Sequence, residues 1–442
     1  MIRCALHNLG CKVNSYETQA MQKLLIDEGY EIVPFGDEIA DVYIINTCSV
    51  TNIADRKSRQ MIHKARKLNP EAVVVACGCY VESAGASGEV DEDIDLVIGN
   101  REKSHLIELL NAYFEDRQRK PDPEQGISSA TDFDEMRIDE PEEHTRAYVK
   151  IQDGCNRFCT YCIIPYVRGR IRSRKPQEVV AEIERIAASG CREVVLTGIH
   201  LSSYGLDCPE EGVFLIDVIE RINAIPGIRR IRLGSLEPRI ITDEFVKRLS
   251  ACEKVCPHFH LSLQSGCDSV LRRMNRQYTT AEYREGVEKL RSVYEQPAIT
   301  TDVIVGFPQE TEEEFACTVE YLRQIRFYEL HVFKYSRRKG TMADAMPGQL
   351  TDREKSRRSD VLTELDEELS EDYRRELIGH RAEVLLEEER FIDGIRYMTG
   401  YTPTYVRVAV QDAEEKLVQN ELVWVRITEL RGRDLALGVA EI

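Results

Sequence analysis

The sequence lacks any run of about eighteen apolar residues, the length needed for a membrane span. Residues 1–7 also lack the charged region and long apolar stretch of a secretory signal. These absences predict a cytoplasmic protein without membrane contact. Disulfides are rare in that reducing compartment, so the 14 cysteines of the chain need another explanation, and their spacing has to supply it.

Positive charge is also scarce. The chain has 59 lysine and arginine residues against 77 aspartate and glutamate residues, and its net charge is -18. A protein that binds nucleic acid through its overall field needs clustered cations to neutralise phosphates. Any contact with RNA must therefore use local patches of lysine and arginine.

The length of 442 residues exceeds what one hydrophobic core usually supports, so two or three domains are expected. Residues 1–118 alternate short β-rich runs with amphipathic helical stretches, which is typical of an open parallel α/β sheet. Residues 119–143 are polar and lose this periodicity, which indicates a linker. The chain therefore belongs to the α/β class at least in its first part.

The region 144–377 contains six strand candidates, nearly all separated by helical stretches. Six such units predict a partial parallel (β/α)6 barrel, too small for the closed eight-fold form. After Gly379 the pattern changes to short alternating runs bounded by turn residues, which predicts a small antiparallel β-barrel in residues 378–442. The barrel strands are predicted at 148–152, 194–197, 231–234, 259–263, 300–305 and 330–333.

The most specific motif is Cys155, Cys159 and Cys162, with the spacing C-x3-C-x2-C, just after the first predicted barrel strand. Three thiolates in a short loop can bind three irons of a cubane cluster and leave the fourth iron open to substrate. A zinc site would need a fourth ligand, for which only His144 and remote cysteines are available. A ferredoxin-type cluster would also need a fourth cysteine.

Three further cysteines, Cys11, Cys48 and Cys79, each follow a predicted strand of the first domain. The carboxyl ends of parallel strands share one edge, where ligands gather, so these residues can converge. Buried cysteines often only fill space, but three in equivalent places favour a second cluster with an open iron. Cys77 is the rival of Cys79, yet it belongs to the strand itself, whereas Cys79 follows the turn at Gly78.

The first cysteine motif, at the first strand of a six-unit barrel, resembles the radical S-adenosylmethionine (SAM) superfamily. The resemblance implies that SAM chelates the open iron through its methionine group, and that one electron cleaves the sulfonium to give a deoxyadenosyl radical. Glu237, Gln264 and Asp302 lie in motifs that resemble the cofactor wall of that superfamily, at the face where barrel enzymes place ligands. The alternative is that Glu237 or Asp302 caps a neighbouring helix.

Together, the motifs resemble the methylthiotransferase family over essentially the whole chain. The family resemblance implies two 4Fe-4S clusters, the second of which supplies or carries the inserted sulfur, while one SAM gives the methyl group and another the radical. It also implies an electron donor of the flavodoxin or ferredoxin type, and the sulfur source stays open. The motifs are Gly10-Cys11-Lys12-Val13-Asn14, Asn46-Thr47-Cys48-Ser49-Val50, Gly78-Cys79-Tyr80 and the Cys155 loop.

Within that family, Leu9-Gly10-Cys11-Lys12-Val13-Asn14 and Thr197-Gly198-Ile199-His200 are most similar to the branch that acts on N6-threonylcarbamoyladenosine of tRNA, next to the anticodon. The implied reaction is methylthiolation at C2 of the adenine. The isopentenyladenosine branch more typically has Gly-Cys-Gln-Met-Asn at the first motif. That branch, a ribosomal-protein methylthiotransferase, and a non-enzymatic iron-sulfur or zinc RNA-binding protein are the alternatives.

Two regions are candidates for RNA contact. Five cations, Arg168, Arg170, Arg172, Arg174 and Lys175, follow the Cys155 loop and could clamp phosphates of the anticodon loop. The alternative is a solvated lead-in to the next helix. The C-terminal region resembles a TRAM domain, a small barrel associated with tRNA binding. Its aromatic residues could stack on bases or fill the core, namely Tyr401, Tyr405 and Trp424.

Overall fold

The N-terminal sheet is all parallel, as predicted. The computed structural model describes residues 1–85, 91–116, 133–139, 145–412 and 414–441. The strand order is β2-β1-β3-β4-β5. The strands are β1 (Arg3–Asn8), β2 (Glu31–Ile32), β3 (Val42–Thr47), β4 (Val73–Gly78) and β5 (Leu96–Ile98). The helices are α1 (Lys12–Asp27), α2 (Asn52–Leu68), α3 (Cys79–Gly85) and α4 (Leu106–Glu115).

Helices cover both faces of this sheet, which explains why every residue of β3 and β4 is buried. On one face α1 and α4 pack through Met21, Leu25 and Leu110. On the other face α2 packs through Ile62 and Ala65. The strands of the core are therefore continuous apolar runs, the pattern from which the sheet was predicted.

The six predicted barrel strands are all present and parallel. Isolated bridges connect the two halves, from Ile231 to Val255 and from Leu236 to Leu261. A short extra strand, β7, pairs antiparallel with the end of β6. The strands are β6 (Arg146–Asp153), β7 (Arg172–Ser173), β8 (Glu193–Gly198), β9 (Arg230–Leu233), β10 (His258–His260), β11 (Ala298–Val305) and β12 (Glu329–Lys334).

Helices surround the barrel, and several begin at clear sequence signals. Thr279, Thr311 and Thr351 each form a capping box with the glutamate three residues later. The helices are α5 (Ile164–Val167), α6 (Pro176–Ala188), α7 (Leu215–Asn223), α8 (Asp243–Ser250), α9 (Asp268–Arg273), α10 (Thr280–Val293), α11 (Glu312–Ile325), α12 (Met342–Ala345) and α13 (Asp352–Glu376). The long α13 packs its apolar face against the barrel core.

The C-terminal strands close into a barrel in the order β13-β14-β15-β17-β16. Four neighbouring pairs are antiparallel, as predicted, and the pair β15 and β17 is parallel. A closed ring with an odd number of strands cannot alternate direction throughout, so one parallel pair is required. The strands are β13 (Arg381–Ile392), β14 (Ile395–Tyr401), β15 (Arg407–Gln411), β16 (Leu422–Arg431) and β17 (Leu435–Ala440).

The C-terminal barrel docks on the starts of the central barrel strands. Arg232 donates to the carbonyls of Thr402 (2.7 Å) and Pro403 (2.8 Å). Tyr401 and Tyr405 stack at 4.7 Å between ring centroids, and the Arg146 guanidinium lies over both rings. These two tyrosines therefore belong to the domain contact, which favours the packing alternative over base stacking for both.

The predicted domain boundaries, at residues 118, 143 and 377, stay predictions. Of the predicted linker 119–143, residues 133–139 are described, and there Met136 and Ile138 are buried in the core of the N-terminal domain. The remainder of the linker lies outside the described residues. Within the described ranges, none of the helices combines the length and the apolar character that crossing a membrane requires.

Candidate functional site

The Cys155 loop connects β6 to α5 and begins with a turn that only glycine can make. Gly154 has φ +67°, and a Cβ there would lie 1.8 Å from the Arg170 carbonyl oxygen. Cys155, Cys159 and Cys162 are half-buried and free of disulfides. Their thiols act on one another: burial and then the neighbouring Cys159 and Cys155 raise the pKa of Cys162 to about 12. The loop therefore presents three adjacent thiols, as the spacing predicts.

Arg276 lies against this first triad. Its Nη1 donates to the Cys159 sulfur at 3.3 Å, and its Nε donates to the Tyr278 hydroxyl at 3.0 Å. Burial lowers the pKa of Arg276, but Tyr278 and Cys159 outweigh this and hold it well above its ordinary value. Sequence reasoning missed Arg276 because it is remote from Cys159 in the chain and carries no motif of its own.

Two of the three predicted cofactor-wall residues, Glu237 and Asp302, lie close enough to Arg276 for its charge to lower their pKa. The Glu237 carboxylate is 2.6 Å from Arg157 and 2.9 Å from His200. Burial raises the pKa of Glu237, but His200, Arg157 and Arg276 outweigh it, and the net shift is downward. A cavity of about 510 Å³ is lined by Glu237 and Arg157. The carboxylate therefore lies at the wall of a space large enough for a small ligand.

Asp302 and Gln264 lie on neighbouring segments. Asp302 falls within β11 rather than at its end, and its carboxylate is 3.2 Å from His260. Gln264 has φ +71° and donates its backbone N–H to the Asp302 carbonyl at 2.8 Å. The capping alternative is wrong for both carboxylates, because Asp302 is inside a strand and Glu237 makes no side-chain capping bond.

The second triad lies at the carboxyl edge of the N-terminal sheet. Cys11 is the N-cap of α1, Cys48 follows β3, and Cys79 is the first residue of α3. Cys11 is exposed, while Cys48 and Cys79 are 5% and 3% exposed. Burial raises the pKa of Cys48 to about 11, and the thiols of Cys79 and Cys11 add to the rise. The sheet thus brings together three thiols that are far apart in sequence.

The backbone around the second triad is tightly packed. A Cβ on Gly10 would lie 2.7 Å from the Cys48 sulfur, and one on Gly78 would lie 2.3 Å from the Thr47 carbonyl oxygen. Cys77 is completely buried in the sheet core, as expected for the rival of Cys79. Its sulfur lies 3.6 Å from the Asn46 side chain. Cys79 is therefore the member of this pair that faces the other two thiols.

The predicted phosphate clamp is wrong for three of its five cations. Arg168, Arg172 and Arg174 are buried, and each pairs with carboxylates of the protein. Such neutralised cations cannot reach phosphates. Arg170 and Lys175 are the members of the run that are exposed. The run fails as a clamp because Arg168, Arg172 and Arg174 turn inward, to Glu17, Asp153 and Glu182 respectively.

The buried cations belong to a charged core between the two triads. Glu17 on α1 is completely buried and accepts from Lys150 at 2.7 Å, from Arg168 at 2.9 Å and from Lys103. Asp153, at the end of β6, pairs with Lys150 (2.7 Å) and Arg168 (3.2 Å). Sequence reasoning missed Glu17, because a glutamate on an amphipathic helix is expected on the solvent face.

The zinc alternative gains nothing from this geometry. His144, its candidate fourth ligand, lies outside the described residues. In the described ranges, His63, Asp91 and Asp93 form the one group of histidine, cysteine and acidic side chains whose ligand atoms all lie within 4.8 Å of one another. Neither cysteine triad is that compact, and neither has a histidine or carboxylate completing a four-ligand zinc site at that spacing.

Comparisons with known proteins support the interpretation of the motifs. The Radical SAM superfamily model matches residues 149–322, and Uncharacterized protein family UPF0004 matches residues 3–99. The threonylcarbamoyladenosine tRNA methylthiotransferase MtaB of Bacillus subtilis is 38% identical over 97% of this chain and 94% of its own length. A tRNA-2-methylthio-N(6)-dimethylallyladenosine synthase of Caldicellulosiruptor saccharolyticus is 38% identical over 86% and 80%.

A solved structure shows the same fold at low sequence identity. The radical S-adenosylmethionine methyltransferase TsrM from Kitasatospora setae superimposes with a TM-score of 0.56 at 18% identity, covering 78% of this chain and 77% of its own. The identity over nearly full length to curated methylthiotransferases shows the family directly. The chain belongs to the radical SAM tRNA methylthiotransferases, a family of enzymes.

Proposed function

We propose that this enzyme inserts a methylthio group at C2 of N6-threonylcarbamoyladenosine, next to the anticodon of tRNA, using SAM and two 4Fe-4S clusters. The observation that carries the proposal is the pair of cysteine triads. Each triad offers three thiols close enough to shift one another's pKa, and three ligands leave one corner of a cubane cluster free. Membership of the family establishes a radical SAM tRNA methylthiotransferase. The number of clusters and the identity of the modified nucleoside are what we add as a proposal.

The first triad fits a radical SAM cluster. Cys155, Cys159 and Cys162 are the ligands, and Arg276 donates to one of the sulfurs. When bound there, a reduced cluster supplies the electron that cleaves SAM to a carbon radical. The neighbouring polar groups of Glu237, Gln264 and Asp302 then hold the cofactor, and their existing partners keep them oriented.

The second triad fits a cluster that carries the transferred sulfur. Cys11, Cys48 and Cys79 are the ligands, held by the tight turns at Gly10 and Gly78. Thiol ligands must lose their protons on binding metal, and the buried Arg168 beside Cys79 supplies positive charge for the thiolate. Exposed Cys11 marks the side from which substrate reaches this site.

Lys12 favours the threonylcarbamoyl substrate over an isopentenyl one. Lys12 directly follows Cys11, and its side chain is accessible to water. Partial burial, then the charges of Arg146 and Arg232, lower the pKa of its ammonium. Within the described residues its ammonium has no hydrogen bond and no ion pair. A threonylcarbamoyl group carries a carboxylate that this cation can bind, whereas an isopentenyl group carries no charge.

The RNA contacts that fit the exposed surface are fewer than the sequence suggests. Arg170, whose guanidinium lies 4.7 Å from the Phe158 ring centroid, and Lys175 are the exposed cations of the run after the Cys155 loop. We assign phosphate contact to these two. Trp424 is 45% exposed on the C-terminal barrel, and the Arg381 guanidinium lies 4.5 Å from its ring centroid. We assign base stacking to the exposed part of this ring. The proposed partners are thus tRNA and a cytoplasmic electron donor of the flavodoxin or ferredoxin type.

The proposal is tested by nucleoside mass spectrometry of tRNA from a deletion strain complemented with the parent enzyme, Cys11→Ala or Cys155→Ala. The parent should restore 2-methylthio-N6-threonylcarbamoyladenosine, and both variants should fail. Anaerobically reconstituted parent should hold about eight irons and each variant about four. SAM cleavage should be lost with Cys155→Ala and retained with Cys11→Ala.

Other outcomes identify the alternatives. Restoration of methylthiolated isopentenyladenosine would assign the other tRNA branch, and unchanged tRNA with a modified ribosomal protein would assign a protein substrate. About four irons in the reconstituted parent would show that the enzyme has no second cluster. Iron or zinc without any SAM cleavage would leave a non-enzymatic RNA-binding protein.

A further inference from the structure

Arg168 contacts Cys79 of the second thiol site and is linked through Asp153 to the loop of the first, although the sequence places it in a run of surface-like cations. We propose that Arg168 is a positioning residue for the second cluster: it orients Cys79, sets the reduction potential of the cluster that Cys79 binds, and fixes this site relative to the first. The inference rests on the proposed function, since it takes Cys79 as a cluster ligand.

All three nitrogens of the guanidinium have partners, which fix its orientation. Nε donates to the Cys79 sulfur at 3.4 Å. Nη1 donates to Glu17 at 2.9 Å and to Asp153 at 3.2 Å. Nη2 donates to the Asn14 side chain at 2.7 Å. Because the two forked nitrogens are anchored on acceptors of the protein, Nε–H is held toward the sulfur.

The charge around Arg168 suits an anionic occupant. Among the described residues, the ion pairs of this core join two carboxylates, Glu17 and Asp153, to four cations: Lys103, Lys150, Arg168 and Arg172. A third carboxyl group, Glu82, lies near Lys103 and Arg168, so cations still outnumber carboxyl groups. Buried charges are normally balanced. The excess of cations here is balanced when the thiols of the second triad bind metal as thiolates.

Arg168 also reaches the first site. Its partner Asp153 accepts from the backbone N–H of Gly154 at 2.7 Å, and Gly154 precedes the ligand Cys155. Arg168 itself ends the segment that follows Cys162, and its own backbone N–H donates to Ile164 at 2.8 Å. One side chain therefore connects a ligand of the second site to the strand end that holds the first.

Hydrogen bonds to cluster sulfurs and nearby charge are the protein's means of setting a cluster's potential. A donor and a positive charge stabilise the more negative, reduced cluster. Removing them should therefore make the second cluster harder to reduce. A role in packing alone would leave the potential of a fully loaded cluster unchanged.

The test uses full-length protein in which Cys155, Cys159 and Cys162 are replaced by alanine, so that the second cluster gives the only signal. This triple variant is the reference protein. The reduction potential of its second cluster is measured by redox titration followed by electron paramagnetic resonance, and is compared with that of the same chain carrying Arg168→Met, Arg168→Lys or, as control, Arg192→Met. Arg192 is an exposed arginine outside both sites. The Met variant should shift the potential to more negative values, Lys should shift it less, and the control should match the parent.

The remaining outcomes also decide. A loaded Met variant with the parent's potential and spectrum would overturn the inference. If both Arg168 variants lose the iron of the second site, the same substitutions are made in the otherwise wild-type enzyme. Retained first-site iron and SAM cleavage would then support positioning of Cys79. Loss of iron from both sites would show that Arg168 has a role in folding only. If the triple alanine variant with Arg168 intact binds no iron, the proposed second cluster itself is refuted, whatever the role of Arg168.

Discussion

Lys12 is one residue away from Cys11 and has a charge but no partner within the described residues, so its replacement separates substrate recognition from cluster binding. Lys12→Gln keeps the polar side chain and removes the cation. A hydrogen bond to a charged group is worth about 1.5–3 kcal/mol, and about 1.4 kcal/mol is tenfold. We expect kcat/KM for tRNA with threonylcarbamoyladenosine to fall by about 10- to 100-fold, mostly through KM.

The control is Lys57→Gln on the exposed face of α2, which should behave as the parent. The comparison is repeated with tRNA that carries isopentenyladenosine. There Lys12→Gln should cost nothing, because that group has no carboxylate. An equal loss on both tRNAs would show that Lys12 does not recognise the threonylcarbamoyl group.

Cys77 and Cys79 are two residues apart, but they occupy opposite environments, and this gives a second residue-scale prediction. Cys79→Ala should lower the iron content of the reconstituted enzyme from about eight to about four, since one cluster loses a ligand. Cys77→Ala should keep all the iron, because that sulfur lies in the sheet core. Iron loss with Cys77→Ala and not with Cys79→Ala would reverse the assignment.

The candidate ligands could be predicted from sequence because Cys155, Cys159 and Cys162 share one short loop, while Cys11, Cys48 and Cys79 each follow a strand of a parallel sheet, whose carboxyl ends meet at one edge. The groups around the ligands could not. Arg276 reaches Cys159, and Arg168 reaches Glu17, across long sequence separations that no local pattern records. Sequence motifs thus locate the candidate thiols, while the residues that contact them and balance their charge depend on tertiary packing.

At the scale of secondary structure, periodicity predicts the long elements and misses the short ones. Five of the six barrel strands, all but β10, lie within two residues of their predicted ends, whereas β2 and β7 have two residues each and show no period. The mistaken phosphate clamp has the same origin. A run of arginines gives no indication of which side chains turn inward until β7 pairs with β6.

The helix α13 provides an element-scale prediction through Asp366. This carboxylate accepts from the Leu330 backbone N–H of β12 at 2.6 Å. Burial, then repulsion from Glu329 and Glu367, raises its pKa to about 6. A raised pKa means that the folded state holds the proton more tightly than the unfolded state, so stability from this group falls as pH rises through the range between 3.8 and about 6.

Asp366→Asn removes this titration and keeps an acceptor for Leu330. Between pH 5.5 and pH 8, the unfolding free energy of the variant should rise relative to the parent by about 1 kcal/mol. Urea unfolding at the two pH values, followed by circular dichroism, measures the change. Glu364→Gln, an exposed position on the same helix, is the control and should show no such pH-dependent difference. Parallel curves for Asp366→Asn and parent would contradict the prediction.

At the scale of the whole molecule, arginines fix the three parts of the chain to one another. Arg338, in the loop after β12, donates to Ser49 (2.8 Å) and Asp55 (2.6 Å) beside Cys48. Arg232 holds the C-terminal barrel through backbone carbonyls. Domain order was predictable from composition, but this mutual placement was not, because every contact joins residues remote in sequence. The thiol sites are therefore positioned by domain docking as much as by the sheet and the barrel.

Glu17 also joins the N-terminal domain to the barrel region, through ion pairs with buried cations of both. Its replacement gives the last prediction. The carboxylate belongs to α1, and its partners are Lys103 of the same domain and Lys150 and Arg168 of the barrel region. Glu17→Gln keeps the shape and leaves these cations without their shared anion. Removing one partner of a buried ion pair costs about 3–5 kcal/mol, and we expect the free energy of unfolding measured in urea to fall by this amount.

The control is Glu28→Gln, an exposed position just after the same helix, which should match the parent. If the two variants unfold at the same urea concentration, the buried charge core does not hold the two thiol sites together.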